Sequence, residues 1–512
     1  MKPHRIIKTD YLSGAEELAP YYQYPINDPD FRQIAADKAK DPINRQLLSD
    51  RIRSQYVEAG IEVAGKVAEN LDRLAREDSF TITTGHQLVM FGGPLFTVYK
   101  VSTVIKLADQ LTASGMNVVP VFWIHTEDHD FEEINHYYQS FLEKRTYPGT
   151  FSSDVGSHVL EPSIEEIHPN TLPETLIHTF KPGVPLKTAY RRFFHHLYES
   201  YGLLMLDASD EALKARFSEV AKRELQEHFT EKAVNQQTAR LQAGGYKEQI
   251  HPREINLFYL DAEGRNRIIK EGDRIQLVGR DLSFSEAEFL AEMEQNPNGI
   301  SPNVCLRPLY QEMILPNLAY VGGWGELSYW LQLKEVFEEA KINFPLLLPR
   351  MSATVLDEET ADSWKKMGFE IADIKLPLAR LNDRYLPQIW DQGEMRHTET
   401  KILDLMSELE SYIHNHVSVT LARSADALST KTRNFLANLE KKAGKIKRQE
   451  NREPFEQIKA LKSIVEPDQQ VQERVLSLPA VGNWIDPYTF LQLVYEQCRP
   501  LSYEHQFLIL PK

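Results

Sequence analysis

Ser79-Phe-Thr-Ile-Thr-Thr84, then Gly85-His-Gln87, Gly92-Gly-Pro94 and, one helix length later, Val118-Val-Pro-Val-Phe-Trp-Ile124 decide how this chain folds. The first run has strand character and is expected to stop at Gly85. The glycine pair with Pro94 leads into Leu95–Leu111, where Phe96, Val98, Val101, Val104, Ile105 and Leu107 recur at helical spacing. Proline suits a first helical turn because its missing N–H would be unpaired there anyway. Gly115 ends the helix. Val118–Ile124 is almost continuously apolar, as in a strand buried on both faces of a parallel sheet. Strand, helix and strand within so short a stretch make a βαβ unit, and the doubly wound α/β class follows.

Outward from this unit, residues 29–78 are charge-rich at helical spacing and read as surface helices. Residues 137–200 mix patterns and carry several prolines and glycines, which suggests an insertion; a second is placed at about 225–295. Gly202-Leu-Leu-Met-Leu-Asp207 is a further buried strand. Residues 253–282 alternate as an antiparallel patch. Ile300–Arg350 is dense in polar and glycine residues and ends on Phe344-Pro-Leu-Leu-Leu-Pro-Arg350, a last buried strand. A core of residues 1–390 is therefore expected.

From about 391 to 465 glycine nearly vanishes. Leu421, Leu428 and Phe435 recur every seventh residue, interleaved with Ala425, Thr432, Leu439 and Ile446. That spacing predicts a coiled-coil seam. Gly444 and Pro454 are candidate breaks. Such a stripe needs a partner, either a hairpin helix such as Phe455–Val465 or a second copy of the chain, and a homodimer through this arm is expected. Residues 466–512 are expected to pack back on the core, ending in a strand-like Gln506–Leu510.

The 512 residues are 42% hydrophobic and 26% charged, ordinary for a globular chain of several units. The net charge of −16 argues against a general nucleic-acid surface. No apolar stretch follows Met1-Lys-Pro-His-Arg5, and no run has bilayer length, so a cytoplasmic protein without a membrane partner is expected. Cys305 and Cys498 then read as free thiols. CxxC and HExxH are absent, and no metal cluster is assigned.

Three constellations carry chemistry. In the first, Thr84, Gly85, His86, Gly92 and Gly93 lead to a helix N-terminus, where free N–H groups and the helix dipole favour an anion. His86 and Lys100 would add a donor and a charge, while the alternative is a turn shaped only by packing. The second is His125-Thr-Glu-Asp-His-Asp-Phe-Glu-Glu-Ile-Asn-His136, directly after an apolar strand. Its imidazoles and carboxylates suit a general base, an amine anchor or metal ligands. An acidic first helical turn would account for Glu132 and Glu133, but poorly for His125, Asp128 and His129. The third runs from Ser301-Pro-Asn-Val-Cys-Leu-Arg307 through Gln311, Asn317 and Tyr320 to Gly322-Gly-Trp-Gly-Glu326. It describes either a pocket wall, with Arg307 pairing a carboxylate or phosphate, or a structural loop around an Arg–Glu pair.

Several of these stretches together resemble one family. They are Thr84-Gly-His-Gln87, Phe91-Gly-Gly-Pro-Leu-Phe-Thr-Val-Tyr-Lys100, Pro120–Ile124 with Glu127–His136, His251-Pro-Arg-Glu-Ile-Asn256, Ser301–Pro308, Leu315–Gly323 and Leu348-Pro-Arg350. The family is BshC, the cysteine ligase of bacillithiol biosynthesis, and the resemblance spans nearly the whole chain. It implies a Rossmann-like core related to class I nucleotidyltransferases, with connecting-peptide insertions and a dimerising coiled coil. It implies that L-cysteine is joined to glucosaminyl-malate, with ATP or ADP as the activating nucleotide and Mg accompanying it. The HxGH motif of related nucleotide-binding folds is absent; Gly85-His86 stands in its place. On this reading His86, Asp128 and His129 are catalytic. Thr84, Gly85, Gly92, Gly93 and Lys100 hold the nucleotide. His125, Asp130, Asn135, Arg307, Asn317, Tyr320, Gly322 and Glu326 bind substrate. Two other readings stand beside it: a metal-dependent hydrolase using His125, Asp128 and His129, and a non-catalytic nucleotide-binding scaffold.

Overall fold

The computed structural model describes residues 5–140, 143–149 and 154–511. The chain divides into two compact units. The first comprises residues 1–354 and 473–508, the second 355–472 and 509–512.

The first unit is organised by a five-stranded parallel sheet. Strand β1 (Ser79–Gln87) is followed by helix α1 (Leu95–Ala113) and strand β2 (Asn117–His125). Helix α2 (Leu186–Tyr198) precedes β3 (Leu204–Asp207). A second, antiparallel sheet comes next in the chain: β4 (Leu257–Asp261), β5 (Gly264–Glu271), β6 (Arg274–Leu277), β7 (Ser283–Ser285) and β8 (Ile300–Pro302), with β8 paired to β4. Helix α3 (Arg307–Ile314), β9 (Asn317–Gly322), helix α4 (Trp324–Trp330) and β10 (Leu346–Pro349) complete the parallel sheet. Its spatial order is β10-β9-β1-β2-β3. The chain winds outward from β1 in one direction through β2 and β3, then returns to the other side of β1 for β9 and β10. The reversal lies between β1 and β9, and ligands of such sheets bind beyond the strand C-termini at that point.

Nearly continuous apolar character places β2 with both faces covered, and its seven central residues are buried. Helix α1 is buried almost all round, as expected of a helix between a sheet and further chain. Strand β1 does not stop at Gly85. It pairs with β2 in unbroken register from Ser79↔Asn117 to Gln87↔His125. The glycine is needed for a neighbour instead: a Cβ at Gly85 would sit 2.8 Å from His125 Nε2. The missing side chain makes room for an imidazole from the adjacent strand, and the turn comes later, at residues 88–94.

The second unit is helical. It begins at Val355, ahead of the helical change expected at 391, because Glu358–Lys366 and Leu378–Ile389 pack on α7 (Arg452–Val465). Before α7, helices α5 (Gly393–His416) and α6 (Val419–Glu450) form a hairpin. Gly444 does not break α6. Its Cβ position lies 3.2 Å from Leu386 Cδ2, so the glycine permits close helix packing. The break falls at Asn451, and Pro454 lies in the first turn of α7. The partner of α6 in the hairpin is α5, and the buried face of α6 is Ala422, Ala425 and Ser429. Leu421, Leu428, Phe435, Leu439 and Ile446 of the heptad stripe are exposed. No helix among the described residues is long and apolar enough to cross a membrane.

Candidate active site

At the reversal point, the C-terminal ends of β1 and β9 meet in an ionic cluster whose lysine is buried and whose glutamate is half-buried. Lys100, one turn into α1, donates to the Gly85 carbonyl at 3.0 Å and pairs with Glu326 Oε2 at 2.7 Å. Glu326, in the first turn of α4, also accepts from the Gly323 N–H at 2.8 Å and from the Tyr320 hydroxyl at 2.7 Å. Burial opposes the Glu326 charge, but Lys100, the Gly323 N–H and Tyr320 outweigh it and pull the carboxyl down to about 2. Tyr320 stacks on Trp330 with centroids 4.5 Å apart. Gly322 leaves room for these side chains: a Cβ there would lie 3.0 Å from both Leu327 and Tyr320. Lys100, Tyr320, Gly322 and Glu326 are thus gathered in one place.

His86 is buried and stacked on Phe96, 5.1 Å between centroids. Burial, with Lys100 and Arg350 adding to it, pushes its imidazole down to about 3, so the ring is neutral. Thr84 spends its hydroxyl on the Val321 carbonyl of β9 at 2.7 Å. Gly92 and Gly93 lie apart from a ligand-accessible surface. Their Cβ positions are filled by Phe193 and Leu478, and by Val89 at 2.3 Å, with φ of 87° and 61°. The first N–H of α1, on Leu95, donates to the Leu476 carbonyl at 2.7 Å. The segment around Leu476 thus does for α1 what a capping side chain would do.

Beside this cluster, beyond the end of β2, lies a cavity of about 280 Å³. Of the expected site residues, His125, Asp128 and Arg307 line it. His125 Nε2 is buried without a hydrogen-bond partner. Burial, followed by Arg307, Lys100, His86 and Arg265, holds its imidazole well below the ordinary range. Asp128 Oδ2 accepts from Gln87 Nε2 at 2.7 Å, and Oδ1 from the backbone of His129 and Asp130. A carboxylate has about four lone-pair positions, so room for one more donor remains. Arg307, at the start of α3, donates to Gln311 Oε1 and to the Tyr329 hydroxyl, each at 3.1 Å.

The remaining expected residues lie elsewhere. His129 and Asp130 are exposed and outside the cavity lining. Asp130 caps the Glu133 N–H, and Asn135 bonds its neighbour His136. Asn317 is fully buried at the start of β9, the opposite end of the sheet, where it donates to Glu312 at 2.8 Å and accepts from Thr81. Its amide ties α3 to β9. As for a metal, Asp128 is already engaged, and among the described residues no three His, Cys, Asp or Glu side chains are gathered as ligands. Burial pushes the Cys305 thiol up to about 12 and the Cys498 thiol up to about 11, which leaves neither a ready nucleophile.

Several lining residues have no role in the sequence reading: Thr126, Glu127, Ser209, Arg265, Asn303 and Tyr329. Thr126 and Glu127 sit inside the His125–His136 run, and Asn303 inside Ser301–Arg307, so position within those motifs was a usable signal. Arg265 comes from the second sheet, where alternating charge reads as a solvated face.

Two family descriptions match this chain end to end. "Bacillithiol biosynthesis BshC, N-terminal Rossmann-like domain" matches residues 2–351, and "Bacillithiol biosynthesis BshC, C-terminal coiled-coil domain" matches residues 353–510. The chain is 34% identical over 507 residues to a Cytophaga hutchinsonii protein named "Putative cysteine ligase BshC", covering 97% of this chain and 95% of that one. A Flavobacterium johnsoniae protein of the same name is 34% identical over 487 residues, covering 91% and 90%. One from Bacillus mycoides is 29% identical over 440 residues, covering 80% and 81%.

Proposed function

The chain belongs to the bacillithiol biosynthesis BshC family, and on that premise we propose that it is a ligase joining the carboxyl group of L-cysteine to the amine of glucosaminyl-malate. The match of both halves of the chain to one family carries the reaction. The cavity beyond β2 supports its location, because a guanidinium without an ion-pair partner and a carboxylate with one lone pair left line the same space there.

In this reading Arg307 binds the malate carboxylates, and Asp128 receives the incoming amine through its remaining lone pair. A C–N bond replaces a C–O bond: Asp128 takes the proton the amine loses, and the carboxyl oxygen would leave bound to the phosphoryl or nucleotidyl group that had activated it. His125, held neutral among cations, offers Nε2 as a hydrogen-bonding group to the substrate. Lys100, Glu326 and Tyr320 form the wall that keeps Gly85 and His125 in place.

A free carboxylate is a poor electrophile, and an ATP-type nucleotide with Mg is the proposed activator. Its phosphates do not fit the Gly92-Gly93 turn. Both glycines are packed and the first N–H of α1 is taken, so no step is assigned through the nucleotide there. We place the work in the reducing cytoplasm, in keeping with two buried free cysteines. A second copy of the chain is the proposed partner of the exposed stripe on α6.

Purified protein supplied with cysteine, glucosaminyl-malate and ATP is expected to form bacillithiol, read by thiol labelling and mass spectrometry. Arg307→Met should raise KM for glucosaminyl-malate by about a hundredfold, and Asp128→Asn should cut kcat by about a hundredfold, the scales of lost charged contacts and of lost acid–base help. No product from the parent protein would sink the reaction; full activity in both variants would sink the site.

A further inference from the structure

Both arginines of the cavity, Arg307 and Arg265, take their direct hydrogen bonds to neutral oxygens; Glu127 and Asp128 bear on Arg265, and Glu326 on Arg307, without pairing with them. Arg307 meets the Gln311 amide oxygen and the Tyr329 hydroxyl. Gln311 is fully buried, and its amide nitrogen donates to Glu312 Oε1 at 2.9 Å. Glu312, 0% exposed, accepts in turn from Asn317 and from Lys38, itself 2% exposed, at 2.8 and 3.2 Å. Lys38 also pairs with Asp41 at 3.0 Å. The arrangement leaves Gln311 one sensible orientation. Its NH2 faces the carboxylate and its oxygen faces the guanidinium.

The second arginine repeats the plan with different residues. Arg265 donates to Ser301 Oγ at 3.2 Å and to the Pro302 carbonyl at 2.9 Å. The Ser301 hydroxyl donates onward to Glu127 at 2.7 Å, and Glu127 is paired with Lys214, which is buried. In each case a buried lysine answers a carboxylate, a neutral side chain relays from it, and an arginine at the cavity receives an acceptor without a charge. Among the described residues neither arginine has an ion pair.

A carboxylate placed directly against a guanidinium would fix it as firmly but spend its charge. A neutral acceptor fixes the geometry and leaves the charge for a ligand. We infer that Gln311 and Ser301 are positioning residues, which hold Arg307 and Arg265 oriented and free of a direct ion pair so that the cavity grips a substrate bearing two carboxylates. This rests on the proposed reading of the cavity and adds to it the residues that set the strength of anion binding.

The test uses the full chain and L-malate as the probe. Calorimetry gives its dissociation constant for the parent, Gln311→Met and Ser301→Ala; steady-state assays give KM for glucosaminyl-malate against kcat. Each variant should bind malate about tenfold more weakly, the scale of one lost charged hydrogen bond. KM should rise with kcat held, and the double variant should lose about a hundredfold because the two arginines have separate supports. Circular dichroism and melting temperature establish folding; should Gln311→Met not fold, Ser301→Ala and its hydroxyl-restoring Ser301→Thr carry the comparison. Folded variants that bind malate as tightly as the parent would overturn the inference alone. A parent that binds no malate would overturn the anion reading of the cavity and this inference with it.

Discussion

His86 and Gly85 show how one position can be read correctly as special and wrongly as to why. The pair stands at a sheet edge, as the Thr84–Gln87 motif suggested, yet neither is part of a turn. His86 is a buried neutral ring whose imidazole is pushed down to about 3 by burial and by Lys100. In the unfolded chain an imidazole takes its proton near pH 6.5. The unfolded state therefore binds more protons between these values, and folding stability falls as pH drops through that window. His86→Gln removes this contribution. We expect its stability to fall less steeply than the parent's from pH 6.5 to about pH 4, by on the order of 3 kcal/mol, measured by urea denaturation across pH. Parallel curves would refute the burial argument. Glu326 contributes in a lower window, losing its stabilisation as pH falls from about 4.5 toward 2. Gly85→Ala places a methyl 2.8 Å from His125 Nε2. It should cost about 1–3 kcal/mol of stability as overpacking and depress turnover through a displaced His125; unchanged melting and activity would show the contact to be soft. Asn317 was misread because a buried amide tying α3 to β9 has the same signature in sequence as a pocket amide.

At the scale of elements, the βαβ unit was legible because β2 is apolar throughout and α1 has a clear period. The antiparallel patch was legible from alternation. The arm was half legible. Seven-residue spacing located α6, but the residues that α6 buries are Ala422, Ala425, Ser429 and Gly444, small residues that a hydrophobic-repeat reading ranks below leucine. The large residues were left outside, with Leu428 50% and Phe435 67% exposed. The exposed stripe on α6, at coiled-coil spacing, is what the proposed second copy of the chain would cover. Light scattering should report a dimer for the parent chain and a monomer for Leu428→Glu with Phe435→Glu, with helix content unchanged. A monomeric parent would remove the proposed partner.

The whole molecule has two cores rather than one. The sheet-centred unit and the helical unit each bury their own apolar residues, which predicts that heating will not give one two-state transition. Calorimetry should resolve two events, and the paired glutamate substitutions on α6 should move one of them and leave the other in place. A single transition with equal calorimetric and van't Hoff enthalpies would contradict this. The order of the five parallel strands could not be read from sequence, because strand patterning does not say on which side of β1 the late strands return. That return is what brings Glu326 and Arg307 beside Lys100 and His125, so the third wall of the site was visible only as a list of residues without a place.

The sheet-centred unit is completed by residues 473–508, which follow the helical unit in the chain. A ribosome makes residues 1–354 first and must then make the entire helical unit before Glu473 is available to pair with Arg350 at 2.7 Å, or Leu476 to receive the N–H of Leu95. During that interval the nascent site has its sheet but lacks the strap over α1. A chain whose synthesis halts inside the arm is thus left with an unfinished core, because residues 473–508 are part of the sheet-centred unit.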